Sequence, residues 1–113
     1  MAKDYKAIVQ DARSYYAQLG KEIPEPLEKF YALSKTAVAD GVLDRKTKEL
    51  IALAIGVTRR CDGCIGAHAW ALRDAGATRA EVAEALAVVI AMNGGPGLVY
   101  SADALRAYDQ FGS

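Results

Sequence analysis

The chain has 113 residues, of which 52% are hydrophobic and 25% charged, and its fourteen acidic and fourteen basic side chains leave no net charge. This length predicts one domain, residues 1–113, with a core of modest size. Balanced charge excludes a strong field toward nucleic acid or an anionic membrane; with no signal-type apolar core after Met1 and no run of transmembrane length, a cytoplasmic location is expected.

The residues read as helices throughout. From Asp4 to Leu19, Tyr5, Ile8, Val9, Tyr15, Tyr16 and Leu19 recur near the helical period, and Gly20 is the expected stop. Pro24 and Pro26 open a second helix whose apolar face is Leu27, Phe30, Tyr31, Leu33 and Val38, with Gly41 as its end. Asp44 suits the N-cap of a third helix running to about Thr58. A fourth carries both cysteines and ends near Ala75, followed by Gly76 as a C-terminal glycine. Thr78 and Glu81 form a capping box for a fifth, which stops near Asn93-Gly94-Gly95-Pro96, and a last helix spans roughly Leu98 to Phe111. Strand signals are nearly absent, because Val88-Val89-Ile90 lies within an alanine-rich helical stretch. The expected fold class is all-α, a bundle of about six helices.

Alanine is dense from Ala67 to Ala91. Each alanine buries little area at roughly 25 cal/mol per Å², so the bundle gains by covering further apolar faces with copies of itself, and a homo-oligomer is expected. The six tyrosines and Trp70 are read as core or interface residues.

The chemistry concentrates in Cys61-Asp62-Gly63-Cys64 and His68, which hold both cysteines and the only histidine within eight consecutive positions. Their place at the start of a helix matters, since unpaired N–H groups and the macrodipole there favour an anion such as a thiolate. Arg59 and Arg60 add positive charge, so at least one cysteine should be acidic enough to react. His68 follows Cys64 by four residues and Cys61 by seven, spacings that share a helical face. In a reducing compartment such a pair is catalytic or metal-binding more often than a staple. If the third and fourth helices form an antiparallel hairpin near Arg60, Glu49 reaches a depth comparable to His68 at ~1.5 Å per residue, where a carboxylate can orient an imidazole. The candidate relay is Glu49, His68, Cys64, Cys61. The same four groups could serve as zinc ligands, although structural zinc usually draws on two separate ligand pairs and one is missing here.

Glu49, twelve positions before Cys61, with Cys61-x-x-Cys64-x-x-x-His68, resembles the redox-active (AhpD-like) branch of the alkylhydroperoxidase-D and carboxymuconolactone decarboxylase superfamily. The resemblance extends from about Leu43 to Ala107, including Gly76-Ala77-Thr78-Arg79-Ala80-Glu81 and Asn93-Gly94-Gly95-Pro96. It implies an all-helical trimer or hexamer that reduces a hydroperoxide substrate and is reset by a dithiol or protein reductant, an antioxidant role that needs no cofactor. Glu49 and His68 would be the proton relay, Cys64 the attacking thiol and Cys61 the resolving one. Helix-end electrostatics alone favour Cys61 as the more acidic sulfur, whereas closeness to His68 and the likeness favour Cys64. Alkylhydroperoxidase-D has a second histidine just before its second cysteine; here that position is Gly63. The decarboxylase branch is the alternative within the fold, with Arg59, Arg60, Arg73 and Arg106 as possible anchors for a carboxylate. A further alternative is a non-catalytic oligomeric protein of the same fold.

Overall fold

The computed structural model describes residues 2–112. Six helices follow one another: α1 (Tyr5–Glu22), α2 (Pro24–Val38), α3 (Arg45–Thr58), α4 (Asp62–Asp74), α5 (Arg79–Asn93) and α6 (Gly95–Gln110). No strand interrupts them among the described residues, and no described helix is long and apolar enough to cross a membrane.

The helix starts follow from local chemistry. Asp4, Asp44 and Thr78 each accept a backbone N–H of the first turn, and Thr78 and Glu81 complete the capping box reciprocally. Three boundaries differ from the periodicity reading, one of them at the end of α2, which stops at Val38 rather than near Gly41 because Ala39 turns extended (φ −63°, ψ 151°). Helix α1 continues through Gly20 to Glu22, because a helical glycine costs only about 1 kcal/mol and the turn chemistry lies further on, at Ile23-Pro24. Helix α6 begins at Gly95, since Gly94 at φ 65° makes the break and Pro96 fits the first turn, where its missing N–H has no partner to lose.

Helices α3 to α6 pack around a shared core, with α1 laid against α4 and α6. Leu53 and Val57 of α3, Ile65 and Leu72 of α4, Val82 and Leu86 of α5, and Tyr5 and Tyr108 meet there. Full burial of a side chain such as Leu53 or Ile65 is worth about 1.5–3 kcal/mol, and this central group anchors the fold. The Tyr108 hydroxyl donates to the Ala77 carbonyl at 2.6 Å, so its polar end is not stranded.

Helix α2 lies outside this core. It has no buried residue, and Phe30, Tyr31 and Leu33 are exposed. Tyr15, Tyr16 and Trp70 are exposed as well, so of the aromatics expected in core or interface only Tyr5 and Tyr108 are buried in the chain by itself. Helical periodicity identifies an apolar face; it does not say whether the chain's own helices cover that face.

Candidate active site

Helix α3 delivers Glu49, and the turn after it delivers the cysteines. The Arg60 and Cys61 N–H groups donate back to the Val57 and Gly56 carbonyls, each at 3.0 Å, closing a Schellman turn. Arg60 holds the left-handed position of that turn at φ 53°, the one non-glycine residue with positive φ among those described. The turn reverses the chain, so α4 starts at once and runs back along α3. Gly56 lets the two helices close up, since a Cβ there would lie 3.2 Å from Cβ of Cys64.

Cys61 is the N-cap of α4, and its Sγ accepts the Cys64 N–H at 3.2 Å. The two cysteines are joined as a disulfide with Cα atoms 5.2 Å apart. Both are half-buried, as is His68. A disulfide at a helix N-terminus releases, on reduction, a thiolate into the field of the first-turn N–H groups.

Glu49 is 4% exposed, the only charged side chain in the buried class among the described residues. Its Oε1 lies 2.7 Å from Nδ1 of His68. A carboxylate can only accept, so Nδ1–H donates and Nε2 keeps the lone pair that can take a proton. The ordinary fate of Glu49, an exposed charge beside Arg45 or Lys46, is not what the fold produces. Arg45 pairs with Asp74 and Lys46 with Glu81 instead.

The structure therefore joins the four candidates as two couples, Glu49 with His68 and Cys61 with Cys64. Among the described residues no hydrogen bond links His68 to either sulfur. Nor do three or more His, Cys, Asp or Glu side chains converge there as a metal site. Of the four arginines considered as carboxylate anchors, Arg73 donates to the Tyr108 carbonyl and stacks on its ring, and Arg106 sits 3.7 Å from Asp103. Arg59 and Arg60 remain exposed beside the turn, and Arg60 lines a hollow of about 110 Å³ with Val57, Thr58, Asn93, Pro96 and Gly97.

The carboxymuconolactone decarboxylase family matches residues 24–107, which include the turn and all four candidates. The chain belongs to the carboxymuconolactone decarboxylase family. It is similar to a solved carboxymuconolactone decarboxylase family protein from Legionella pneumophila, 43% identical, with 96% of this chain and 97% of that one covered and a TM-score of 0.94. It is also similar to an uncharacterized protein of Cupriavidus necator, 39% identical over 110 residues and 96% of each chain. A third relative, from Haemophilus influenzae, is 47% identical over 69 residues, 61% of each chain.

Two residues near the motif escaped the sequence reading. Asp62, read only as a spacer, receives hydrogen bonds from Tyr5 and Lys3. Tyr16, read as core or interface, brings its hydroxyl 3.7 Å from the point where a Cβ on Gly63 would lie. Both contacts span more than 40 residues, so no local spacing signals them.

Proposed function

We propose that this family member is a thiol-dependent hydroperoxide reductase. The observation that carries the reading is the Cys61–Cys64 disulfide at the N-terminus of α4, on the helix that also holds the Glu49-oriented His68. A decarboxylase site has no use for a sulfur pair of this kind, whereas peroxide reduction needs a thiol, a partner thiol and a base.

In the proposed cycle the Cys64 thiol gives its proton to Nε2 of His68, through the substrate or one water, because no direct bond spans the gap. The thiolate attacks the terminal oxygen of ROOH, the O–O bond breaks, and the alkoxide leaves as ROH with the proton held by His68. Cys64 is left as a sulfenic acid. The Cys61 thiol then attacks that sulfur, forming the disulfide and releasing water. A dithiol reductant supplies two electrons and two protons to restore the pair. Glu49 stabilises the imidazolium while the proton is stored. A reducing compartment such as the cytoplasm would favour this resting dithiol.

The proposed working form is a homo-oligomer, a trimer or hexamer. Phe30, Leu33, Ile55, Val88, Met92 and Val99 are each more than half exposed, more large apolar surface than a monomer of this size comfortably leaves in water. The test of function is consumption of an organic hydroperoxide with a dithiol reductant by the wild type and by Cys64→Ser. Loss of turnover in the variant supports the proposal, and equal background rates in both sink it. Decarboxylation of a lactone acid by either protein would favour the decarboxylase reading.

A further inference from the structure

Asp62 sits between the two cysteines, at the first position of α4, and it is the centre of a charge cluster that the peroxidase cycle does not use. Its Oδ1 accepts the Tyr5 hydroxyl at 2.8 Å and the Lys3 ammonium at 3.0 Å. The same ammonium reaches Oδ2 of Asp103 at 2.9 Å and lies 4.7 Å from the centre of the Tyr100 ring. Arg106 stands 3.7 Å from the other oxygen of Asp103. Two carboxylates thus meet two cations, and the cluster sums to zero.

Its parts are held firmly. The Gln110 side chain donates to the Lys3 carbonyl and accepts the Tyr5 N–H, both at 2.8 Å, which ties the segment before α1 to the end of α6. Tyr5 is fully buried, with its ring against Gly66 of α4. Burial and the bond to Asp62 push its phenol upward, so it stays a donor. The Lys3 ammonium is likewise pushed up, first by Asp103 and also by Asp62, and stays charged.

The neighbourhood gives this arrangement a consequence. Cys61, as the N-cap, and Asp62, in the first turn, compete for the same helix-end field when both carry charge. An uncompensated carboxylate beside Cys61 disfavours its thiolate, and a less stable thiolate makes a disulfide harder to reduce. A carboxylate tied to a cation and a phenol has much less of this effect.

We infer that Lys3, seconded by Tyr5, is a positioning residue for the redox pair: by holding and neutralising the Asp62 carboxylate it keeps the Cys61–Cys64 dithiol acidic and its disulfide readily reduced. This rests on the proposed dithiol–disulfide chemistry but not on peroxide being the oxidant. The cost of exchanging electrons with the reductant is thereby set from a residue 59 positions before Asp62.

The experiment equilibrates the full chain with mixtures of dithiothreitol and its cyclic disulfide and quantifies oxidised protein. In that exchange the protein disulfide takes two electrons and two protons as dithiothreitol closes its ring. Lys3→Met should shift the equilibrium toward the protein disulfide by roughly three- to tenfold, and Tyr5→Phe should shift it the same way by less. Asp62→Asn should move it less than Lys3→Met does, because the carboxylate it removes is already compensated, and in that background Lys3→Met should change it by less than about twofold, since the charge through which Lys3 acts is gone. Circular dichroism confirms the helical fold of each variant, and Lys3→Gln, which keeps a polar chain without the charge, replaces Lys3→Met if that variant unfolds. A wild-type constant in Lys3→Met overturns the inference, as does a full Lys3→Met shift that survives in Asp62→Asn. Peroxide consumption is measured separately: its absence alongside the expected shifts defeats the peroxidase proposal and leaves this inference standing.

Discussion

The Glu49 carboxylate and the His68 imidazole, nineteen residues apart, meet at 2.7 Å on facing sides of the α3–α4 hairpin. The pairing satisfies the one charged side chain that is buried among the described residues and leaves the outer nitrogen of the ring as the basic one. Charge burial without a partner is costly, so the hairpin and the pair support each other.

For that reason His68→Ala should lower hydroperoxide turnover by about 100-fold or more, as loss of a general base does. Glu49→Gln keeps shape and burial, and should cost about 10- to 100-fold, the usual penalty for removing an orienting partner. Steady-state turnover of an organic hydroperoxide checks both, with circular dichroism to confirm that each variant keeps the helical fold. A wild-type rate in Glu49→Gln would remove Glu49 from the relay.

The order of the cysteines is open to direct capture. In Cys61→Ser, one equivalent of hydroperoxide should leave a sulfenic acid on Cys64 that a dione reagent traps, while Cys64→Ser should trap nothing beyond background. Mass spectrometry reads the adduct and its position. An adduct on Cys61 in Cys64→Ser, with none in the other variant, would reverse the assignment.

Arg60 occupies the left-handed position of the turn into Cys61, a conformation that costs a residue with a Cβ about 1 kcal/mol. Arg60→Gly relieves that strain and adds unfolded-state freedom, so the net gain should be up to about 1 kcal/mol. A raised denaturant midpoint with an unchanged slope is the expected result. A lowered midpoint would mean that the guanidinium contributes more than the strain costs.

Acid should weaken the fold through three surface carboxylates. Lys46 holds Glu81 below its ordinary value, Arg79 does so for Asp109, and the hydrogen bonds of Thr47 do so for Asp44. A depressed folded value means stability that is present above the unfolded value, near 4.5 for Glu81 and 3.8 for the aspartates, and lost as pH falls through the folded one. Melting temperature followed from pH 6 to pH 2 should fall, and the fall should be shallower in Glu81→Gln.

Self-association is expected to depend on the outward apolar faces. Sedimentation of the wild type should give a trimer or hexamer, and Phe30→Glu with Leu33→Glu should dissociate it or reduce its size, since a charge in a closing interface is expensive. A monomeric wild type would overturn the proposed assembly.

Much of the fold was legible because its signals are local. Asp44, Thr78 with Glu81, and Gly76 mark helix ends through contacts within a few residues, and the CxxC and His68 share one helical face by spacing alone. Glu49 was legible one step further out, because a hairpin with a tight turn places equal distances from the turn side by side. Beyond that, spacing loses its force. Nothing in the periodicity of α2 distinguishes a face buried by the chain from one left outside, and Phe30, Tyr31 and Leu33 proved exposed.

The sequence by itself therefore determined the helices, the chemical type of the motif and, given a hairpin, the comparable depth of Glu49 and His68, all of which depend on positions close along the chain or symmetric about one turn; their contact came from the fold. Only the tertiary structure decided that Lys3 and Tyr5 grip Asp62, that Tyr16 stands over Gly63, and that no direct bond joins His68 to a sulfur. Those contacts arise where α1 and α6 dock against α4, and docking is set by the summed packing of many side chains rather than by any short pattern.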